Sequence, residues 1–240
     1  MKTLTSAWMA VLVLLGFLAG AQAAELLILK STDPSLPEGG IIDGAQALSL
    51  PAGVTLTLVG EEGKKITLEG PYSGVPAASD QPAEGGFGGR MLMALSRLIA
   101  GAPPDPTRLG ATRGSQVATA DDFWLINVSV SGDYCLRTDR ATEFWRPQAD
   151  MTEALSIKRY GTQGWAKSEW PAGDDALGWP SGVDLVDDGT YLVRLGMGIS
   201  VSKIVVHLLP DDLPSDFHRA AWMTEKGCLR QARALLSSLE

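Results

Sequence analysis

The chain has 240 residues, 45% of them apolar and 20% charged, with a formal net charge of −8. This composition excludes a disordered chain, a collagen and a coiled coil. The acidic balance argues against a phosphate-backbone binder, which normally shows a basic face, and against docking on anionic lipid.

The N-terminus joins Met1-Lys2 to an apolar stretch over residues 7–19 and then to Ala21-Gln22-Ala23 ahead of Ala24. A basic start, a short apolar core and an A-x-A site predict a secretory signal cleaved after Ala23. The apolar stretch falls short of the roughly 20 residues that span a bilayer. No Cys follows it, which excludes a bacterial lipid anchor on the first mature residue, and no other stretch could cross a membrane. Removal of the leader and its single basic residue, Lys2, leaves 217 residues with 19 basic against 28 acidic, a net charge near −9. That is one large domain or two small ones, at about 100–200 residues each. The expected location is the periplasm or the extracellular space.

Residues 24–72 read as a small antiparallel β module. Leu26-Leu27-Ile28-Leu29 is an apolar run fit for a buried strand. Val54, Leu56 and Leu58 alternate with Thr55 and Thr57; Ile66 and Leu68 alternate with Lys65, Thr67 and Glu69. Period two sets one face on a core and the other in water. Residues 73–120 read as a linker, rich in Gly, Pro and Ala, holding one helix with Met91, Leu92, Leu95, Leu98 and Ile99 on one face. The loop that follows, with Arg108, Gly110, Arg113 and Gly114, matches neither glycine-rich phosphate motif.

Residues 121–210 read as a β-sandwich-like domain: six or seven short strands punctuated by Gly, Pro and Asp turns. The first is expected over residues 123–130, the last over 200–209. Asn127-Val128-Ser129 is a glycosylation sequon inside that first strand-like run and reads as chance. Residues 211–240 read as a C-terminal helical pair. Pro214-Ser215-Asp216 starts it, Gly227 breaks it, and Leu229, Ala232, Leu236 and Leu239 form the second apolar stripe with Arg230 and Arg233 toward solvent. The predicted fold class is therefore mainly β with these two β units, one linker helix and the terminal pair.

Cys135 and Cys228 are the two cysteines. An even count in an oxidising compartment predicts one disulfide, closing a loop of more than 90 residues; buried free thiols or one reactive Cys are the alternatives. No C-x-x-C is present to suggest redox or zinc chemistry.

Five tryptophans, at 124, 145, 165, 170 and 179, lie in the sandwich-like region. Trp packs between the sheets of a sandwich, but exposed Trp can also form a platform for a sugar or peptide. If a platform exists, Trp170 and Trp179 are the candidates: each precedes a Pro, and they flank a loop carrying Asp174-Asp175. His207 and His218, with Asp211, Asp212 and Asp216 between them, do not follow a known ligand spacing, so no metal and no cofactor is predicted. A nucleophile beside a base is arithmetically possible, yet G-x-S-x-G does not occur. The adjacent carboxylate pairs Asp121-Asp122, Asp174-Asp175, Asp187-Asp188 and Asp211-Asp212 fall in loops and read as solvated turns, with calcium binding the lesser reading.

Gly40-Ile41-Ile42-Asp43-Gly44, Leu48-Ser49-Leu50-Pro51-Ala52-Gly53 and Leu68-Glu69-Gly70-Pro71 together resemble the small β domains of FecR-like periplasmic proteins of Gram-negative bacteria. Ser131-Gly132-Asp133-Tyr134-Cys135, Trp145-Arg146-Pro147, Trp170-Pro171-Ala172-Gly173, Trp179-Pro180 and the stretch from Ala221-Trp222-Met223 to Gly227-Cys228 look like uncharacterised secreted proteins of proteobacteria. Turn and core residues of this kind report fold rather than chemistry. FecR-like proteins carry a cytoplasmic tail and a membrane span before the β domain; a cleavable signal stands here instead, so the resemblance does not imply sigma regulation. The expectation is an exported cell-envelope protein that binds or scaffolds a protein or glycan partner, without nucleic acid. The alternative is a periplasmic hydrolase with a cleft between the β units.

Overall fold

Four consecutive apolar residues are all buried only when both faces of their strand are covered. The computed structural model, which describes residues 25–76, 88–101, 120–197 and 200–239, meets that condition at Leu26-Leu27-Ile28-Leu29. The leader, residues 77–87 of the expected linker and the Arg108–Gly114 loop lie outside the described residues.

Strand β1 (Glu25–Ser31) pairs antiparallel with β2 (Ile41–Asp43) and, after β3 (Leu48–Leu50), with β4 (Thr55–Gly60), which pairs in turn with β5 (Lys65–Glu69). The sheet order is β2-β1-β4-β5, and β6 (Tyr72–Gly74) joins β3 in a separate ribbon. Leu26 and Ile28 share one side with Leu50, Leu56 and Leu58; Leu27 and Leu29 face the helices. The helices are α1 (Gly88–Ile99), α2 (Asp216–Glu225) and α3 (Leu229–Leu239). Helix α1 buries Met91, Leu92, Leu95 and Leu98, the stripe read from the sequence. The helix expected inside a linker is thus part of the core, packed on β1 and α2.

A five-stranded sheet contains β8 (Gly132–Leu136), β10 (Glu153–Arg159), β11 (Ala166–Trp170), β13 (Gly189–Leu195) and β14 (Ser202–Leu208), in the order β11-β10-β13-β14-β8. A three-stranded sheet has β7 (Ile126–Asn127), β9 (Glu143–Trp145) and β12 (Ala176–Gly178), in the order β12-β9-β7. The two share one core, in which Phe144 of the small sheet meets Ile157, Tyr191 and Ile204 of the large one. Both sheets are mixed, since β8 runs parallel to β14 and β7 parallel to β9.

The long strand expected over residues 123–130 shrinks to the two residues of β7. Asp122 and Asn127 bend the chain there: Asp122 Oδ1 accepts from the Trp124 N–H (2.9 Å) and Asn127 Oδ1 from the Ser129 N–H (3.0 Å). Such local side-chain bonds compete with a strand ladder.

The helices cover the outer face of the large sheet at its β8 edge. One apolar cluster runs from Leu27, Leu29 and Val59 through the helices to Cys135 and Leu209, so the two β units meet through a helical layer. Cys135 on β8 and Cys228, between α2 and α3, form the expected disulfide, with Cα atoms 5.9 Å apart. Gln231 of α3 donates from Nε2 to the Cys135 carbonyl (2.9 Å) and accepts the Cys135 N–H at Oε1 (2.7 Å). A buried glutamine thereby satisfies the open backbone edge of β8. Ser215 caps α2, and Gly227 takes a φ of 87° between the helices, a conformation only glycine adopts without cost. No described helix is long and apolar enough to cross a membrane.

Candidate functional site

Where residues 120–130 turn away from the sheet, they leave a cavity of about 450 Å³ against α3. Its walls include Phe123, Leu125, Val130, Trp145 and Ala234, and its polar groups come from Asp121, Asp122, Asn127, Tyr134, Arg230, Gln231 and Ser238. Arg230, Ala234 and Ser238 recur every four residues and therefore share one face of α3. The size lies within the roughly 300–1,000 Å³ of small-molecule sites, which are mostly apolar with a few placed polar groups.

Tyr134 organises the inner end. Its hydroxyl lies 3.0 Å from the Asn127 carbonyl and 2.9 Å from that of Val130, the acceptors for its proton, and it accepts from Arg230 Nη2 at 3.2 Å. Burial pushes this phenol up to about 12, against the opposite pull of Arg230. It is a neutral donor at physiological pH. Arg230, expected to face solvent, is exposed but lies with its guanidinium 5.5 Å from the Tyr134 ring centre, and it has no carboxylate partner among the described residues. Asp122, also at the wall, is engaged: Oδ2 accepts from Arg140 at 2.7 Å. Ser238 donates to the Leu235 carbonyl. No His or Cys lines the cavity.

The platform reading of Trp170 and Trp179 is corrected. Trp170 has 0% exposure; it points with Ala166 into the shared core. The guanidinium of Arg146, 4.9 Å from its ring centre and itself 1% exposed, lies against it. Arg146 donates to the carbonyls of Asp174, Met151 and Pro171 and to Glu153 Oε2, so it spends its fork on tying two loops together. Trp179 is half-buried, stacks on Phe144 (5.2 Å between ring centres), meets Tyr191 edge-on (4.9 Å) and donates Nε1–H to the Val183 carbonyl at 2.7 Å. Inward alternation on β11 and the apolar surface of two facing sheets claim these rings for the core.

The histidines do not converge. His207 on β14 is held between Asp188 (2.7 Å from Nδ1) and Asp133 (3.0 Å from Nε2), and Lys226, the C-cap of α2, reaches Asp188 at 3.0 Å. Asp188 takes a left-handed φ of 53°, and its carboxyl is held below the usual range by its bonds to Lys226 and then His207. Asp187, Asp188 and His207 could each offer one atom to a cation. Those atoms already serve Lys226, the Leu208 N–H and each other, so the cluster clasps β14 to β8, to the turn before β13 and to α2. His218 Nδ1 lies 2.8 Å from Ser215 Oγ, and its ring also bonds the Glu61 backbone. This serine–histidine contact belongs to the α2 cap and fastens it to the turn after β4. Burial holds the His218 imidazole below its ordinary range.

Tyr134, Arg230, Gln231 and Arg146 were not among the residues singled out by the sequence as a site. The one linear signal was the four-residue spacing of Arg230, Ala234 and Ser238. Tyr134 and Arg230, like Cys135 and Gln231, are separated by 96 residues in the chain, and Arg146 reaches carbonyls as far as 28 residues away. In comparisons with known proteins, no family model matches the chain and no curated protein matches it.

Proposed function

We propose that this is an exported cell-envelope protein, periplasmic or secreted, that binds an amphipathic carboxylate: an apolar chain or side chain ending in a carboxyl group. The observation that carries this reading is the apolar cavity beside α3, with a guanidinium at its wall that has no carboxylate partner among the described residues. Apolar walls gain from excluding water, and a carboxylate forms its strongest hydrogen bonds with a guanidinium. Export is supported by the leader pattern and by the Cys135–Cys228 bond, which persists in oxidising compartments. The rival, a hydrolase working between the β units, has the Ser215–His218 contact to draw on, and there the serine is engaged as a helix cap.

The test is titration with dodecanoate and, as its uncharged counterpart, dodecanol, followed by calorimetry and by tryptophan fluorescence, since Trp145 lines the cavity. Dodecanoate should bind; Ala234→Trp should abolish binding by filling the space. Arg230→Gln should weaken dodecanoate about tenfold, the equivalent of roughly 1.4 kcal/mol, and leave dodecanol unchanged. Undiminished binding by Ala234→Trp, or no binding by the parent protein, refutes the reading.

A further inference from the structure

Among the described residues, helices cover the outer face of the large sheet only toward β8. Register places Ser156 opposite both Lys167 and Arg194, and Leu192 opposite both Lys158 and Lys203. Among the residues these four strands turn outward, Lys158, Lys167, Arg194 and Lys203 are cations and Glu169 is the one carboxylate. None of the four is ion-paired to a carboxylate among the described residues. Two aromatic rings lie among them. Lys158 and Arg194 sit 5.2 and 5.0 Å from the centre of Trp165, and Lys203 sits 5.9 Å from the centre of Tyr160, which is 66% exposed. Arg194 Nε is buried and has no hydrogen-bond partner among the described residues.

A concentration of like charge is self-repelling, and in a chain of net charge −8 it is also anomalous. It spans four neighbouring strands, about 14 Å at roughly 4.8 Å per strand interval. Such a stripe raises the local concentration of a polyanion, and its rings offer flat apolar surfaces. We infer that this face binds an acidic polysaccharide: carboxylates on a linear chain would meet Lys158, Arg194 and Lys203, and the C–H faces of the sugars would lie on Trp165 and Tyr160. The proposed export of the protein favours a uronate polymer over nucleic acid, whose binding also combines basic grooves with stacking rings. Pinning of Trp165 beside two cations favours a chain laid along the sheet over a wedge driven into lipid. The site is separate from the cavity beside α3 and stands or falls without it.

The probe is polygalacturonate, with dextran as the neutral control and single-stranded DNA and phosphatidylglycerol vesicles as rival polyanions, measured with the purified full chain. The expected result is binding to polygalacturonate that weakens with salt, with none to dextran. A Lys158→Gln/Arg194→Gln/Lys203→Gln variant should bind at least about tenfold more weakly and show a shallower dependence on salt, because fewer counterions are released. Trp165→Ala should weaken binding at fixed salt while leaving the salt slope unchanged. Melting curves on all variants and dodecanoate titration of the triple variant separate loss of this face from unfolding or loss of the cavity. No binding to polygalacturonate, undiminished binding by the triple variant, or equal or tighter binding of DNA or vesicles overturns the inference.

Discussion

At its β8 edge the outer face of the large sheet is sealed by α2 and α3; farther along, from Lys203 on β14 across β13 to β10, the same face is open and basic among the described residues. At the sealed end the outward residues are Cys135 and His207, both buried. Here the helices bring a disulfide, a glutamine that completes a backbone edge, and a lysine that joins the His207 clasp. At the open end the outward residues are Lys158, Arg194 and Lys203, whose stems can cover apolar surface while their charges stay near water. The alternation of strand residues is the same in both places. What differs is the layer above: a helical cover demands small, apolar or fully bonded residues, whereas solvent admits charge. A buried polar group must therefore be matched, and an exposed one is free to meet a partner.

The largest effect should come from the core beneath both ends. Trp170→Ala is expected to lose about 3–5 kcal/mol in urea denaturation; a loss below about 0.5 kcal/mol would return Trp170 to the surface. On the sealed side, Cys135→Ser/Cys228→Ser should lose about 2–5 kcal/mol, and the parent protein should show no titratable thiol in denaturant until reduced. Gln231→Leu should cost about 1–3 kcal/mol by leaving the Cys135 N–H and C=O unmatched. Lys203→Gln on the open side should stay within about 0.5 kcal/mol. If Gln231→Leu is as silent as Lys203→Gln, the edge of β8 is not closed as described.

A pH titration sharpens the comparison on the helical side. Burial favours neutral His218 in the fold, so its unfolded form binds protons first; stability is fully present above about pH 6.5 and declines as pH falls below that value. His218→Gln should flatten that part of the profile. If the parent instead gains stability from this histidine on acidification, its charged form is the one the fold prefers.

Periodicity made the strands and helices legible: the doubly buried run of β1, the alternation of β4 and β5, the stripe on α1 and the serine start of α2 all stand where local residue order puts them. The turn into β7 was less legible, because Asp122 and Asn127 divert the chain through bonds that an apolar pattern does not reveal. The wall of the cavity was invisible, since Tyr134 and Arg230 meet only after β8 and α3 are docked. Trp170 and Trp179 looked alike in sequence, each beside a proline, but strand direction and the facing sheet send both rings inward.

By itself the sequence determined the mainly β class, the terminal helix pair and a pair of cysteines able to close a long loop, because each follows from local period or from count. Only the tertiary structure decided that the helices join the two β units, that Arg146 rather than a ligand lies on Trp170, and that four cations gather on one uncovered stretch of sheet. Those outcomes depend on which surfaces meet, and contact between residues far apart in the chain is set by packing, not by neighbouring side chains.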